Sequence, residues 1–387
     1  MIEIHHERLR SLGLTNAVAA AAAALPELEA ALVATPAIAV PTIPPRLVRV
    51  TEVHRETLRV HDGLADISAR VLPRLARALQ EQETALAVGD WAVVAHEAHA
   101  GDAWNAAQER PWVVQRVPPL SHIARRDADG RRHPVVSNVD WALLVMGLDD
   151  DFNLRRLERY LALVHGSGVA PVVVLSKANV LAHSANKRSA NEQPANELEA
   201  RVAAVRARAS AQVDVLAVNA TSPSAAAALA PYLGAGQTLV LLGSSGAGKS
   251  TLTNTLLRAA VQDTGAVREH DSRGKHTTTS RSLHRLPTGA CVIDTPGLRA
   301  LRPDVDETTL AASFGDIGML AAACRFRDCR HQHEPGCAVR EAVDADRLRN
   351  YHKLLREARR DTMSALERQQ MASVWKTRSK AARARRA

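Results

Sequence analysis

Thr238-Leu-Val-Leu-Leu242, then Gly243-Ser-Ser-Gly-Ala-Gly-Lys249-Ser250, then the helically patterned Thr251 to Ala260: the reading of this stretch decides the fold. A short buried strand, a G-x-x-x-x-G-K-S loop and a helix, in that order, make a phosphate-binding P-loop. Glycines at this spacing let the backbone N–H groups of Gly243, Ser244, Ser245, Gly246, Ala247 and Gly248 turn toward phosphate oxygens. The positive end of the following helix reinforces them. Lys249 is then placed to reach the β- and γ-phosphates and the Ser250 hydroxyl to ligate Mg²⁺, with Thr251 completing the set at the helix start.

Working outward, Ala290-Cys-Val-Ile-Asp294-Thr-Pro-Gly297 is a second strand ending in an acid and a glycine. After a P-loop, Asp294 is the second acid of the Mg²⁺ site and the Gly297 N–H is aimed at a γ-phosphate. Between the two lies the polar Gly274-Lys-His-Thr-Thr-Thr279, without clear periodicity. Such a segment orders on ligand binding, and Thr277 or Thr278 is expected to reach the metal. Thr277 is read as the Mg²⁺ ligand, and Thr278 joins Lys249 among the catalytic candidates.

Segments that read and close over the base normally follow a GTPase P-loop; here the credible ones precede it. Val172-Val-Val-Leu175 runs into Ser176-Lys177-Ala178-Asn179, and the strand Val213 to Val218 runs into Asn219-Ala220-Thr221, whose backbone N–H groups suit a base oxygen. The motif order is that of a circularly permuted GTPase. A guanine-reading loop calls for a carboxylate that accepts from N1–H and N2–H₂. Asn179 supplies one acceptor oxygen and a donor NH₂ instead, which holds guanine less well and leaves base choice open. The Asn186-Lys187 pair reads as linker.

With Val88-Gly-Asp-Trp91, Ser137-Asn-Val-Asp140 and a C-terminal Cys/His cluster beside these motifs, the chain resembles the RsgA (YjeQ) family over roughly residues 45 to 370. That family consists of circularly permuted GTPases acting in assembly of the bacterial small ribosomal subunit. The resemblance implies a multi-domain chain: an N-terminal β-barrel (OB-fold), a central α/β P-loop GTPase with permuted motif order, and a C-terminal zinc-binding helical domain.

The cluster also has chemistry of its own. Cys324, Cys329 and Cys337 are three of only four cysteines in the chain, and they flank His331 within 14 residues. Three thiolates and an imidazole suit a tetrahedral, closed, structural Zn²⁺ site. His333 is an alternative fourth ligand; the family pattern selects His331. Cys291, in the strand before Asp294, reads as a core residue.

Composition bounds the rest. The 387 residues suit two or three domains, and 46% hydrophobic content is ample for their cores. No apolar run is long enough to span a bilayer and no charged-then-apolar leader is visible, so a cytoplasmic protein without membrane contact is expected. Expected limits are a helical, Pro-ended lead over 1–44, the barrel over 45–130, the GTPase over 135–323, the zinc domain over 324–375 and a basic tail over 376–387. From Cys324 onward, 17 Lys/Arg face 8 Asp/Glu, an excess of +9 that equals the net charge of the whole chain. That region is therefore the expected electrostatic footprint for rRNA phosphates. On the barrel only Trp91, Trp104 and Trp112 are available to stack bases, so phosphate and shape contacts are expected to matter more there.

Many GTPases place a water-orienting glutamine just after the switch II glycine. Here that residue is Leu298, so slow basal hydrolysis is expected. In the family the water-positioning residue considered is the switch I histidine, here His276; on the residues alone it is equally a loop histidine without a catalytic part. The expectation is a Mg²⁺-dependent, monomeric GTPase whose GTP/GDP state times release from the small subunit, switch II leading along the chain into the zinc module. The alternatives are an NTPase of altered base choice acting on another RNA, which would favour xanthine nucleotides or accept ATP, and a non-hydrolysing RNA-binding assembly factor.

Overall fold

The computed structural model describes residues 2–25, 44–54, 57–96, 110–127, 129–180, 194–258, 281–297 and 302–362. The chain divides into two compact units, Met1–Leu301 and Arg302–Ala387.

In the first unit, strands β1 (Arg46–Val53), β2 (Leu58–His61), β3 (Asp66–Val71), β4 (Trp91–Ala95) and β5 (Trp112–Arg116) pair in the order β1-β2-β3-β5-β4. A β1–β4 ladder closes this row into a barrel, with β3 and β5 parallel and the other pairs antiparallel. This is the five-stranded OB arrangement. Helix α3 (Pro73–Glu81), started by proline at its first turn, contributes Leu79 to the barrel core. Strand β1 has buried side chains on both faces. Val48 and Val50 fill the barrel, whereas Leu47 joins the larger core beyond it.

A hairpin, β6 (His122–Arg126) and β7 (Arg132–Ser137), leads into the nucleotide-binding sheet. That sheet orders β10 (Asp214–Ala217), β9 (Ala170–Ser176), β8 (Trp141–Gly147), β11 (Thr238–Leu242), β13 (Cys291–Asp294) and β12 (Ser282–Arg285). The first five strands are parallel and β12 is antiparallel. Helices α4 (Leu154–His165), α5 (Pro194–Arg206), α6 (Pro223–Leu229) and α7 (Lys249–Leu257) connect them. Near-continuous apolar runs such as Val172 to Leu175 are what a sheet buried on both faces requires. Leu144, Val173, Leu175 and Val240 pack with Leu157 and Leu161 of α4 in one core. Their neighbours Leu143, Val172, Val174 and Leu241 pack with Leu229 of α6 and Leu252 of α7 in the other.

The Ala-rich lead is folded, not appended. Helices α1 (His6–Arg10) and α2 (Asn16–Ala23), the latter capped by the Thr15 hydroxyl accepting from Val18 N–H, place Leu9 and Val18 in the same core as α4, and Leu12 of the turn between them joins it. The rest of the lead, from Pro26, lies outside the described residues. One buried cation ties this lead to the barrel and the sheet. Arg49 of β1 donates to the Leu12 carbonyl, to Thr238 Oγ1 (3.1 Å) and to the Asn138 carbonyl (2.7 Å), with its guanidinium 5.2 Å from the Trp91 ring centroid.

The two short motifs Val88–Trp91 and Ser137–Asp140 meet at this junction. Ser137 N–H donates to the Val88 carbonyl (3.0 Å) and Asn138 Nδ2 to the Gly89 carbonyl (3.1 Å). Asp90, fully buried, is paired with Arg116 at 2.8 Å. Asp140 Oδ2 accepts from the Thr238 N–H (2.7 Å), at the start of the P-loop strand. Trp91 is fully buried, which removes it from any stacking surface; Trp112 is half-buried beneath Arg70, and Trp104 lies outside the described residues.

In the second unit, helices α8 (Glu307–Ser313), α9 (Gly315–Ala321), α10 (Ala338–Ala342) and α11 (Ala345–Thr362) surround a small core containing Leu310, Phe314, Ile317, Val339, Leu348 and Leu354. Phe314 packs 5.2 Å from Tyr351, under the Arg347 guanidinium, which also grips Asp316 through Nε (3.0 Å) and Nη2 (2.8 Å). These contacts assign residues 302–323 to the C-terminal unit, so the division falls at 301/302 where the sequence places it at 323/324. The basic tail lies outside the described residues.

Candidate functional site

Strand β11 delivers the P-loop at the carboxyl edge of the parallel sheet, where ligands bind in folds of this kind. Helix α7 begins at Lys249, directly after Gly248 at φ +93°, a left-handed backbone that glycine adopts without strain. Lys249 is buried and its ammonium donates to the Gly243 (3.1 Å) and Ser244 (2.7 Å) carbonyls. Burial lowers its pKa to about 8, against the raising influence of Asp294 and Asp151.

Asp294 ends β13 beside this loop. The Ser250 hydroxyl donates to its Oδ2 (3.1 Å), while its Oδ1 is buried with no hydrogen-bond partner among the described residues. Burial raises the carboxyl pKa, opposed by the Lys249 charge and the Ser250 hydrogen bond. A hydroxyl and a half-satisfied carboxylate side by side are the donor set that Mg²⁺ takes. Thr295 Oγ1 anchors the turn by donating to the Leu241 carbonyl (2.6 Å). Gly297 then lies against the P-loop so closely that a Cβ there would be 2.3 Å from Ser245 N. Only glycine permits that approach.

The upstream loops come to the same place. Ser176 ends β9, in register with Gly147 of β8, and its hydroxyl donates to the P-loop carbonyl of Ala247 at 2.6 Å. A Cβ at Gly248 would meet Ser176 Oγ at 3.4 Å and the Ala220 Cβ at 4.0 Å. The Ala220 carbonyl accepts from Thr255 Oγ1 of α7 (2.6 Å), and Asn219 Oδ1 accepts from Thr221 N–H (3.2 Å). Lys177, at φ +61°, pairs with Asp149 at 2.6 Å, and Asn179 stands exposed two residues later.

Of the residues the sequence singles out, Ser176, Lys177, Asn179, Asn219, Ala220, Gly243 to Thr251, Asp294 and Gly297 therefore gather around one site. His276, Thr277, Thr278 and Leu298 lie outside the described residues. The sequence reading missed three side chains. Asp149 holds Lys177. Asp151 accepts from Ser244 Oγ (2.5 Å) and Gly147 N–H (3.1 Å), and Arg156 pairs with Asp151 at 2.6 Å. The one signal for the two acids was the run Asp149-Asp150-Asp151 just past a buried strand.

In the second unit the ligand atoms of Cys324, Cys329, His331 and Cys337 all lie within 4.8 Å of one another. Cys324 Sγ is 3.9 Å from Cys337 Sγ, and His331 Nδ1 is 3.6 and 3.4 Å from these two sulfurs. Tetrahedral Zn²⁺, with bonds of about 2.3 Å to sulfur and about 2.0 Å to nitrogen, spaces its ligands by such distances. The donor set fits one structural zinc. Glu334 clips the intervening loop by accepting from the N–H groups of Gln332 (2.8 Å), His333 (3.0 Å) and Arg330 (3.1 Å).

Comparison with known proteins agrees with this construction. The family described as RsgA GTPase matches residues 117–303. The "Small ribosomal subunit biogenesis GTPase RsgA" of Xanthomonas oryzae pv. oryzae (strain MAFF 311018) is 45% identical over 314 residues, covering 79% of each chain. The protein of the same name from Xanthomonas campestris pv. campestris (strain B100) gives the same identity and coverage. Among solved structures, YjeQ from Thermotoga maritima has a TM-score of 0.52 at 20% identity, covering 81% of this chain and 98% of that one. YloQ, described as a circularly permuted GTPase, has a TM-score of 0.51 at 20% identity over 82% and 96%. Their likeness shows the shared fold. With a barrel, a permuted nucleotide site and a Cys₃His cluster in the order that the resemblance implies, and with relatives this similar over this share of its length, the chain belongs to the RsgA family.

Proposed function

We propose that this chain is a GTPase that binds the small ribosomal subunit during its biogenesis and hydrolyses GTP to GDP and phosphate. The observation that carries the reading is the Ser176–Ala247 hydrogen bond, through which a loop preceding the P-loop in the chain is fastened to it. Relatives named for small-subunit biogenesis, 45% identical over most of the chain, supply the target.

In this reading Ser250, Asp294 and Thr277 hold Mg²⁺, which neutralises charge on the β- and γ-phosphates when bound. Lys249 exchanges its carbonyl partners for phosphate oxygens and stays protonated there. The Gly297 N–H orients the γ-phosphate, His276 positions water, and Thr278 joins Lys249 among the catalytic residues. Structural Zn²⁺ on Cys324, Cys329, His331 and Cys337 shapes the second unit, whose basic character suits rRNA phosphates. We assign the protein to the cytoplasm as a monomer. No helix among the described residues is long and apolar enough to cross a membrane.

The test is steady-state GTP hydrolysis by the purified protein, alone and with purified small subunits. Stimulation by the small subunit is the expected result; its absence would overturn the ribosome-dependent reading.

A further inference from the structure

The base-reading loop departs from guanine chemistry at one atom pair. Ser176 fixes this loop to the P-loop, Lys177 turns it through a left-handed backbone, and Asp149 pins the Lys177 ammonium. The Ala178 N–H donates to the Val218 carbonyl (3.2 Å), joining it to the Asn219–Thr221 turn that closes the other side. Three loops thus converge beside the helix α7 end of the P-loop. Asn179 is the exposed polar side chain that follows, two residues beyond Lys177.

The 6-oxopurine edge offers N1–H and then a substituent at C2. In guanine that substituent is an amino group, a second donor. In xanthine it is a carbonyl, an acceptor; in hypoxanthine it is hydrogen. A carboxylate satisfies two donors. An amide presents one oxygen and one NH₂. It pairs fully with N1–H and a C2 carbonyl, pairs once with hypoxanthine, and sets its NH₂ against the amino group of guanine.

We propose that Asn179 reads the 2-position of the base and makes this site take xanthosine and inosine triphosphates at least as well as GTP. The inference rests on the nucleotide-hydrolase reading above. Phosphate contacts from Lys249 and the P-loop backbone are common to all three nucleotides and keep GTP a substrate; the amide removes the preference for its amino group. Specificity is a difference of affinities, so the ranking carries the proposal.

The experiment is equilibrium competition by GTP, ITP, XTP and ATP against a fluorescent guanine nucleotide, using the full chain with Mg²⁺. The protein and Asn179→Asp are measured in parallel. The expected order for the protein is XTP, then ITP, then GTP, with ATP weakest. In Asn179→Asp, GTP is expected to gain about 10-fold and XTP to lose as much, the effect of exchanging one matched for one opposed hydrogen bond. GTP held about 10-fold tighter than XTP by the unaltered protein would overturn the proposal, as would equal shifts of GTP and XTP in Asn179→Asp. ATP bound as tightly as XTP would also overturn it, because the loop would then read no base edge. Failure of all four to bind would sink the nucleotide-hydrolase reading itself, and this assignment with it.

Discussion

The Ser176 hydroxyl donates to the Ala247 carbonyl at 2.6 Å, joining the end of β9 to the P-loop across 71 residues of chain. Both groups are buried, so the bond cannot be replaced by water without rearrangement. Ser176→Ala leaves a buried carbonyl without its partner, at a cost of about 1–3 kcal/mol. Nucleotide affinity is expected to fall roughly 10-fold while the circular dichroism spectrum is unchanged, measured by titration of GDP with Mg²⁺.

Gly297→Ala tests the approach of switch II to the P-loop. The added methyl would sit 2.3 Å from Ser245 N, and the turn must withdraw. Displacement of this order costs about 100-fold in rate when it misplaces a reacting group. Subunit-stimulated turnover should drop by about that factor, with GDP affinity far less affected, since GDP has no γ-phosphate for Gly297 to meet.

Lys249 sets a pH dependence. Burial lowers its pKa to about 8 in the nucleotide-free protein, and phosphate oxygens would raise it on binding. A group whose pKa rises on binding favours the complex fully below its free value. Affinity is therefore expected to be level below about pH 8 and to fall above it, with uptake of up to one proton per nucleotide. Calorimetry at pH 8.5 in buffers of different ionisation enthalpy reads that proton directly; binding without uptake would contradict the assignment.

Zinc removal should act on the second unit. Its small helical core leans on the Cys₃His cluster, and metal binding of this type contributes folding free energy outright. Metal analysis should find one zinc per chain and none in Cys337→Ala. That variant should lose the protease resistance of residues 302–362 while binding GDP as before, because the nucleotide site lies wholly within Met1–Leu301.

His276→Ala separates a water-positioning residue from an ordinary loop histidine. Stimulated turnover should fall by about 100-fold with nucleotide affinity nearly constant. Normal turnover in this variant removes His276 from the mechanism.

The P-loop was legible because its chemistry is local: Gly243 to Ser250 carry the turn, the charge and the hydroxyl in consecutive positions. The Cys₃His cluster was legible for the same reason, its four side chains falling between Cys324 and Cys337. Asp149 and Asp151 were not. Their partners, Lys177 and Ser244, lie 28 and 93 residues away, and only the alignment of parallel strand ends brings them within reach.

Arg49 makes the same point in the core. An arginine in an alternating strand reads as a solvent-facing position, yet it is fully buried, with acceptors supplied by the lead, the Ser137–Asp140 segment and the P-loop strand. The domain limit shows it too: the helices of 307–321 carry no motif, and it is packing of Phe314 on Tyr351 that assigns them to the C-terminal unit.

The sequence by itself determined the permuted motif order, the P-loop, the Cys₃His cluster and the amide at Asn179, each a matter of residue type and short spacing. The tertiary structure decided which loops close around the P-loop, which acids hold them and where one unit ends. Those outcomes depend on hydrogen bonds and packing between groups tens of residues apart, which strand register places and local pattern does not encode.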